Sequence, residues 1–276
     1  MFTARNEKKI YLAAPSWVFP GTVMENCTFL EGKVDEVALL LFETETSLAR
    51  VRHDFPPELA SLDLRFHAHL PLDLPWERGG AVVAEICLDL LDKIDFLNLT
   101  GAVLHSPPVQ SGKGEIGSCL EAMTAFAETW RAAGRRTVDV LLENTHENDL
   151  TCLENFLLPQ DGSEGFSNTF GLCPDLGHII AYGQESFCRF LQALPDCARP
   201  RMLHCSAPGA ESAGSGCNGG HQPLDFLDAD GLALGEALCS CLAPGAVIVV
   251  ELFDWRYFQR SLPIIHSWLD AIHPKA

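Results

Sequence analysis

The strongest constraint in the sequence is an alternation. Short apolar, β-rich runs recur eight times, at residues 10–17, 37–42, 64–70, 102–105, 138–142, 170–173, 202–205 and 246–252, with helical patterns between them. Ile116, Leu120, Met123, Phe126 and Trp130 follow spacings of four, three, three and four, the stripe of an amphipathic helix. Val83, Ile86, Leu90, Leu91 and Ile94 make a second stripe, and Phe258, Leu262, Ile265, Trp268 and Ile272 make a closing one. Strands buried on both faces read as continuous apolar runs, and helical crossovers between them imply a parallel sheet. Eight repeats in 276 residues predict an α/β fold of one domain over 1–276, a single (β/α)8 TIM barrel. No GxGxxG or GxxxxGK[ST] stretch supports an open dinucleotide- or phosphate-binding sheet instead. The glycine-rich stretch 209–220 is expected to be a loop over the barrel mouth.

In such a barrel the chemistry sits at the C-terminal ends of the strands. The second run is followed by Glu43, the third carries His67 and His69, the fourth ends in His105, and the fifth leads into Glu143 and Asn144. Asp175 and His178 follow the sixth, His204 lies in the seventh and Glu251 in the eighth. Singly, each histidine reads as a hydrogen-bonded core residue and each glutamate as a solvated one. Their recurrence on separate strands, which only a closed barrel would bring together, points to a metal site. Residues two apart on a strand face the same way, so His67 and His69 can both point to the mouth. A helical turn beginning at Pro174 would put Asp175 and His178 on one face. Imidazoles with carboxylates suit zinc or manganese, one or two ions, and Glu143 or Glu251 could bridge two ions ~3.5–4 Å apart. His53, His266 and His273 are read as ordinary surface or core residues, and His146 is left unassigned.

Composition narrows the partners. With 19 basic and 37 acidic residues the formal charge is -18, which repels phosphate backbones and anionic lipids. The expected partner is a small molecule, with no nucleic acid and no membrane. No apolar stretch reaches the ~18–20 residues of a membrane span, and Pro15 and Ser16 interrupt the one segment that faintly resembles a signal peptide, so a cytoplasmic location is expected. The 11 cysteines include no CxxC pair and suggest neither a zinc ribbon nor a disulfide framework; buried thiols are expected.

The strand-end pattern resembles the xylose-isomerase-like barrel superfamily, which includes the endonuclease IV group of metal phosphodiesterases. The resemblance implies that Glu143, Asp175, His204 and Glu251 hold the metal, with His69, His105 and His178 extending the site. His221, in GGHQPLD (219–225), sits where the nuclease branch has another ligand; the preceding aspartate of that branch is replaced by glycine, which argues against a full three-metal site. More narrowly, VFPGTVMENCTFL (18–30), EVALLLFET (36–44) and FHAHLPLDLPWE (66–77) resemble the cobamide-remodelling phosphodiesterases. That resemblance implies hydrolysis of the phosphoribosyl linkage in the nucleotide loop of a cobamide. Glu43, Glu251 and His178 are then the expected proton-transfer residues, and His67, Trp76 and Asn144 the expected substrate contacts. Trp76, Phe156, Phe166 and Phe170 would form a platform for the corrin ring. A sugar isomerase or epimerase needs only the four core ligands and is the first alternative; a non-catalytic corrinoid-binding protein is the second.

Overall fold

The computed structural model describes residues 10–108, 115–134, 138–145, 150–158, 170–183, 186–209 and 220–272. Eight strands form one parallel sheet: β1 (Tyr11–Pro15), β2 (Glu36–Leu40), β3 (Arg65–His69), β4 (Ala102–His105), β5 (Val140–Glu143), β6 (Phe170–Cys173), β7 (Met202–Cys205) and β8 (Val247–Val250). All eight coincide with the apolar runs of the sequence. Their spatial order is β6-β5-β4-β3-β2-β1-β8-β7. A parallel bridge between Asp175 and His204, with the His204 N–H donating to the Pro174 carbonyl at 2.9 Å, links the two ends into a nearly closed barrel.

The helices are α1 (Val23–Leu30), α2 (Thr44–Asp54), α3 (Gly80–Asp92), α4 (Glu115–Ala132), α5 (Leu150–Leu157), α6 (Leu176–Ala181), α7 (Ser186–Ala193), α8 (Ala229–Ser240) and α9 (Trp255–Ile272). Local sequence sets their ends. Thr22 and Glu25 form a reciprocal capping box at the start of α1, the Thr22 hydroxyl accepting from the Glu25 N–H and the Glu25 carboxylate from the Thr22 N–H. The apolar stripes face the sheet: Val83, Leu90 and Leu91 of α3, Met123, Phe126 and Trp130 of α4, and Phe258, Ile265 and Trp268 of α9 are buried. At Gly80 a Cβ would lie 1.7 Å from the Ala122 carbonyl oxygen, so only glycine lets α3 press against α4 this closely.

Two apolar layers result. One lies between sheet and helices; the other fills the lumen, where Ala13, Ala38, Val103, Leu141, Cys173, Met202, Val247 and Val249 pack together. Cys119 and Cys152 are joined by a disulfide that ties α4 to α5, a departure from the expected set of free thiols. Cys27, Cys87, Cys173, Cys205, Cys239 and Cys241 are free and buried, as expected. No described helix is long and apolar enough to cross a membrane.

Candidate metal centre

The carboxylate of Glu143, at the end of β5, is the hub of the mouth. Its Oε2 lies 3.3 Å from His69 Nε2 on β3, 3.3 Å from His105 Nε2 on β4 and 3.3 Å from His204 Nδ1 on β7. The same His204 nitrogen is 3.1 Å from Glu251 Oε2, just past β8. Donor atoms of Glu143, Asp175, His204 and Glu251 all fall within 4.8 Å of one another, and so do those of His69, His105 and Glu143. His69, His204 and Glu251 form a further such group. The four core residues are buried, which follows from their place at strand ends inside a closed barrel.

The surroundings orient these donors. His69 has its Nδ1 3.1 Å from the Leu70 carbonyl; a proton there leaves the Nε2 lone pair aimed at Glu143. Asp175 is the N-cap of α6, where it accepts the His178 N–H at 2.6 Å, so the helical turn starts one residue after the aspartate. Asn144, expected as a substrate contact, serves another purpose. Its side-chain oxygen accepts the Asp175 N–H at 2.7 Å, and its backbone carbonyl lies 2.8 Å from His178 Nδ1. It is buried and holds the Asp175–His178 turn against the end of β5.

The chemistry of the donor set fits a divalent cation. Asp175 Oδ2, Glu251 Oε2 and both ring nitrogens of His204 are buried without an aligned hydrogen bond among the described residues. Buried polar atoms are normally paired, and a cluster of orphaned donors at one point is what an ion would satisfy. The imidazoles and carboxylates of the cage also shift one another's titration. Burial disfavours the Glu143 carboxylate, but His204 and His105 outweigh it and hold its pKa well below the ordinary value. Burial likewise opposes the Glu251 carboxylate, and His204 and His221 lower it. At Asp175 burial wins and the pKa rises. Burial would depress His178, yet Asp175 and Glu143 raise it to about 9. His204 is raised well above its usual value, and His69 is raised by Glu143, against burial in both cases.

Several predicted residues stand apart from this cluster. Glu43 is exposed, lies past the end of β2 at the N-cap of α2, and accepts the Thr46 hydroxyl at 3.0 Å. It is not in any of the convergent groups found among the described residues. His67 is fully buried in the lumen, with Nδ1 2.7 Å from Glu36 Oε1, and so cannot contact substrate at the mouth. Trp76 packs against Phe126, with ring centroids 5.8 Å apart. Phe156 and Phe170 are buried core residues, so the expected aromatic platform does not form from these three. Phe166, His146 and His273 lie outside the described residues, as do residues 210–219 of the glycine-rich stretch. His178 and His221 border the centre without joining the convergent groups found among the described residues. His221 sits in a two-residue antiparallel ribbon with its Nδ1 3.2 Å from the Ser206 hydroxyl.

Sequence reading missed two features. Glu36 is buried beneath the centre, bound by His67, by Arg65 at 3.1 Å and by the Thr100 hydroxyl at 2.8 Å. An acidic residue in the inward phase of a buried strand was the available signal. Cys173, read as packing, also reaches Glu143 and His204, although burial pushes its thiol up to about 12 and leaves it protonated.

No protein-family model and no curated protein matches the sequence. Solved structures do match along nearly the whole chain. A D-tagatose 3-epimerase-like protein has a TM-score of 0.66 at 15% identity, covering 96% of this chain and 98% of that one. The fold shared with it is the (β/α)8 TIM barrel. An IolI protein with a bound zinc atom matches this barrel with a TM-score of 0.66 at 14% identity, over 96% of this chain and 100% of that one. A xylose isomerase domain protein from Planctomyces limnophilus has a TM-score of 0.63 at 14% identity, over 97% and 100%. At such identities these xylose-isomerase-like barrels speak for the architecture alone.

Proposed function

We propose that the chain is a divalent-metal phosphodiesterase acting on the phosphoribosyl linkage in the nucleotide loop of cobamides. The observation that carries this reading is the overlap of two donor groups on Glu143. The group of Glu143, Asp175, His204 and Glu251 suffices for one ion, and His69 with His105 share the same Glu143 oxygen and supply donors for a second. A pair of ions bridged by a carboxylate is the arrangement used for phosphoester displacement. When bound, such ions lower the pKa of water toward neutrality and offset charge on the phosphate oxygens.

The protein's own groups divide the remaining work. His178 commits its Nδ1 to the Asn144 carbonyl, so the proton it can pass to a leaving ribose oxygen is on Nε2. In the metal-free protein Asp175 and Glu143 favour the protonated ring. Glu251, just past β8 with its Oε2 3.1 Å from His204 Nδ1, is the carboxylate assigned to accept a proton released in the attack. The test is to incubate purified protein with a cobamide, with and without chelator, and to resolve the products by chromatography. Chelator-sensitive release of phosphorylated cobinamide is expected, and its absence under both reducing and oxidising conditions overturns the assignment.

A second reading, a sugar epimerase, is favoured by the four-donor group taken alone and by the names of the structural neighbours, among them a D-tagatose 3-epimerase-like protein and a D-psicose 3-epimerase crystallised with D-fructose. Glu143 and Glu251 would then exchange a proton at carbon. Metal counting separates the two: two tightly held ions per chain support hydrolysis, and one supports epimerisation.

A further inference from the structure

The candidate ligands come from the β3 to β8 sector of the rim, while the ends of β1 and β2 contribute none among the described residues. Those two ends border a cavity of about 540 Å3 between α1 and α2 instead. That volume falls within the ~300–1,000 Å3 of small-molecule sites. The strand beside it carries a candidate ligand: Leu41, which lines the cavity from the layer between sheet and helices, donates its N–H to the His69 carbonyl at 2.9 Å.

Its lining has three parts. Leu41 and Phe55 make a buried apolar floor. Trp17 and Phe42 stand at the opening with 41% and 51% of their surfaces exposed, although both are large and apolar. The Glu43 carboxylate lies at the edge and faces solvent. Positive charge is already neutralised: Arg50 pairs with Asp54 at 3.2 Å, and His53 approaches the same carboxylate oxygen at 2.9 Å. Exposed aromatic rings beside a carboxylate suit a planar, partly apolar group with hydroxyls to give.

We propose that this cavity binds the nucleoside end of the substrate, its heterocycle stacked on Trp17 and Phe42 and its ribose hydroxyls donating to Glu43. Aromatic faces stack bases with little regard to their identity, and a carboxylate is a common acceptor for a ribose diol. The assignment of this end to a cobamide rests on the phosphodiesterase reading; the recognition of a nucleoside does not. The cleaved linkage would lie over the metal donors while the leaving half sits in the β1–β2 sector.

Calorimetric titration of the full chain with benzimidazole riboside, free of phosphate and corrin, tests this. Saturable binding is expected, weakened about tenfold or more by Trp17→Ala or Phe42→Ala, each the loss of one stacking contact. Glu43→Gln should weaken the riboside several-fold and leave the affinity for benzimidazole itself unchanged. Both aromatics are largely exposed, and unchanged melting temperatures verify that the variants fold. No riboside binding, binding indifferent to all three substitutions, or displacement of the riboside by cobinamide overturns the proposal. Substitution-sensitive binding without cobamide cleavage retains the cavity and removes the phosphodiesterase; cleavage with unaltered kinetics in Trp17→Ala and Phe42→Ala does the reverse.

Discussion

Strands β3 to β8 and strands β1 and β2 end on the same rim but carry opposite chemistry. The first sector is charged, buried and crowded with imidazole and carboxylate; the second is apolar, open and lined by aromatic side chains. The difference begins in the strands. In the lumen β1 and β2 contribute Ala13 and Ala38, which lie level with Glu36 and His67, and neither strand adds a metal-type side chain at the mouth, whereas the other strands present His69, His105, Glu143 and His204 among the described residues. A sector of reactive groups beside a sector of shape lets one barrel separate where a bond breaks from how a substrate is held.

The largest effect should come from breaking the charged sector at its hub. Glu143→Gln removes the oxygen shared by three histidines and should lower metal affinity by more than the ~10–100-fold typical of changes to outer-shell partners. Metal analysis after gel filtration should show fewer ions per chain, and turnover should fall with it. Phe42→Ala, in the other sector, should leave the metal count unchanged. Equal metal content in both variants would erase the distinction between the sectors.

Much of this was legible before any coordinates. The eight strand runs could be read because parallel strands buried on both faces must be apolar throughout. Glu143, Asp175, His204 and Glu251 could be read because their types recur where such strands end. Glu43 and Trp76 could not be placed, because sequence does not show where a strand stops and the chain turns away. β2 ends at Leu40, three residues short of Glu43. His67 was right in its inward phase and wrong in its height: it shares a face with His69 but sits deeper, where Glu36 claims it. The β1–β2 cavity was invisible, since exposed aromatics leave no period in a sequence.

That deeper level gives the next test. Glu36 and His67 are fully buried as a pair, and removing one member of such a pair typically costs ~3–5 kcal/mol. Glu36→Ala should therefore lower the melting temperature by roughly 5–10 °C while leaving metal stoichiometry intact. A change in the ion count would show that the lumen pair belongs to the metal centre.

The pH dependence of the metal-free protein should be smaller and opposite in sign to ordinary acid unfolding. His178, raised to about 9, with His69 and His204 also raised, binds protons more tightly folded than unfolded. Their contribution is fully present below the unfolded value of ~6.5 and is lost as pH rises toward 9. The melting temperature of chelator-treated protein should fall across that window. Zinc should remove the decline, because a cation replaces the protons that bridge the carboxylates, and its apparent affinity should rise over the same range. A flat profile without metal would mean that the charged sector is not held together by shared protons.

The smallest effect concerns Trp76, half-buried and packed on Phe126 rather than open to a ligand. Such a ring pair contributes ~0.5–1.5 kcal/mol beyond the apolar area it covers. Trp76→Leu should lower stability by about that amount in denaturant unfolding, since leucine keeps much of the contact but loses the ring pair. KM for a cobamide should be unchanged, in contrast to Trp17→Ala, whose KM should rise with little loss of stability. A raised KM in Trp76→Leu at unchanged stability would move the substrate platform from the β1–β2 sector to the loop after β3.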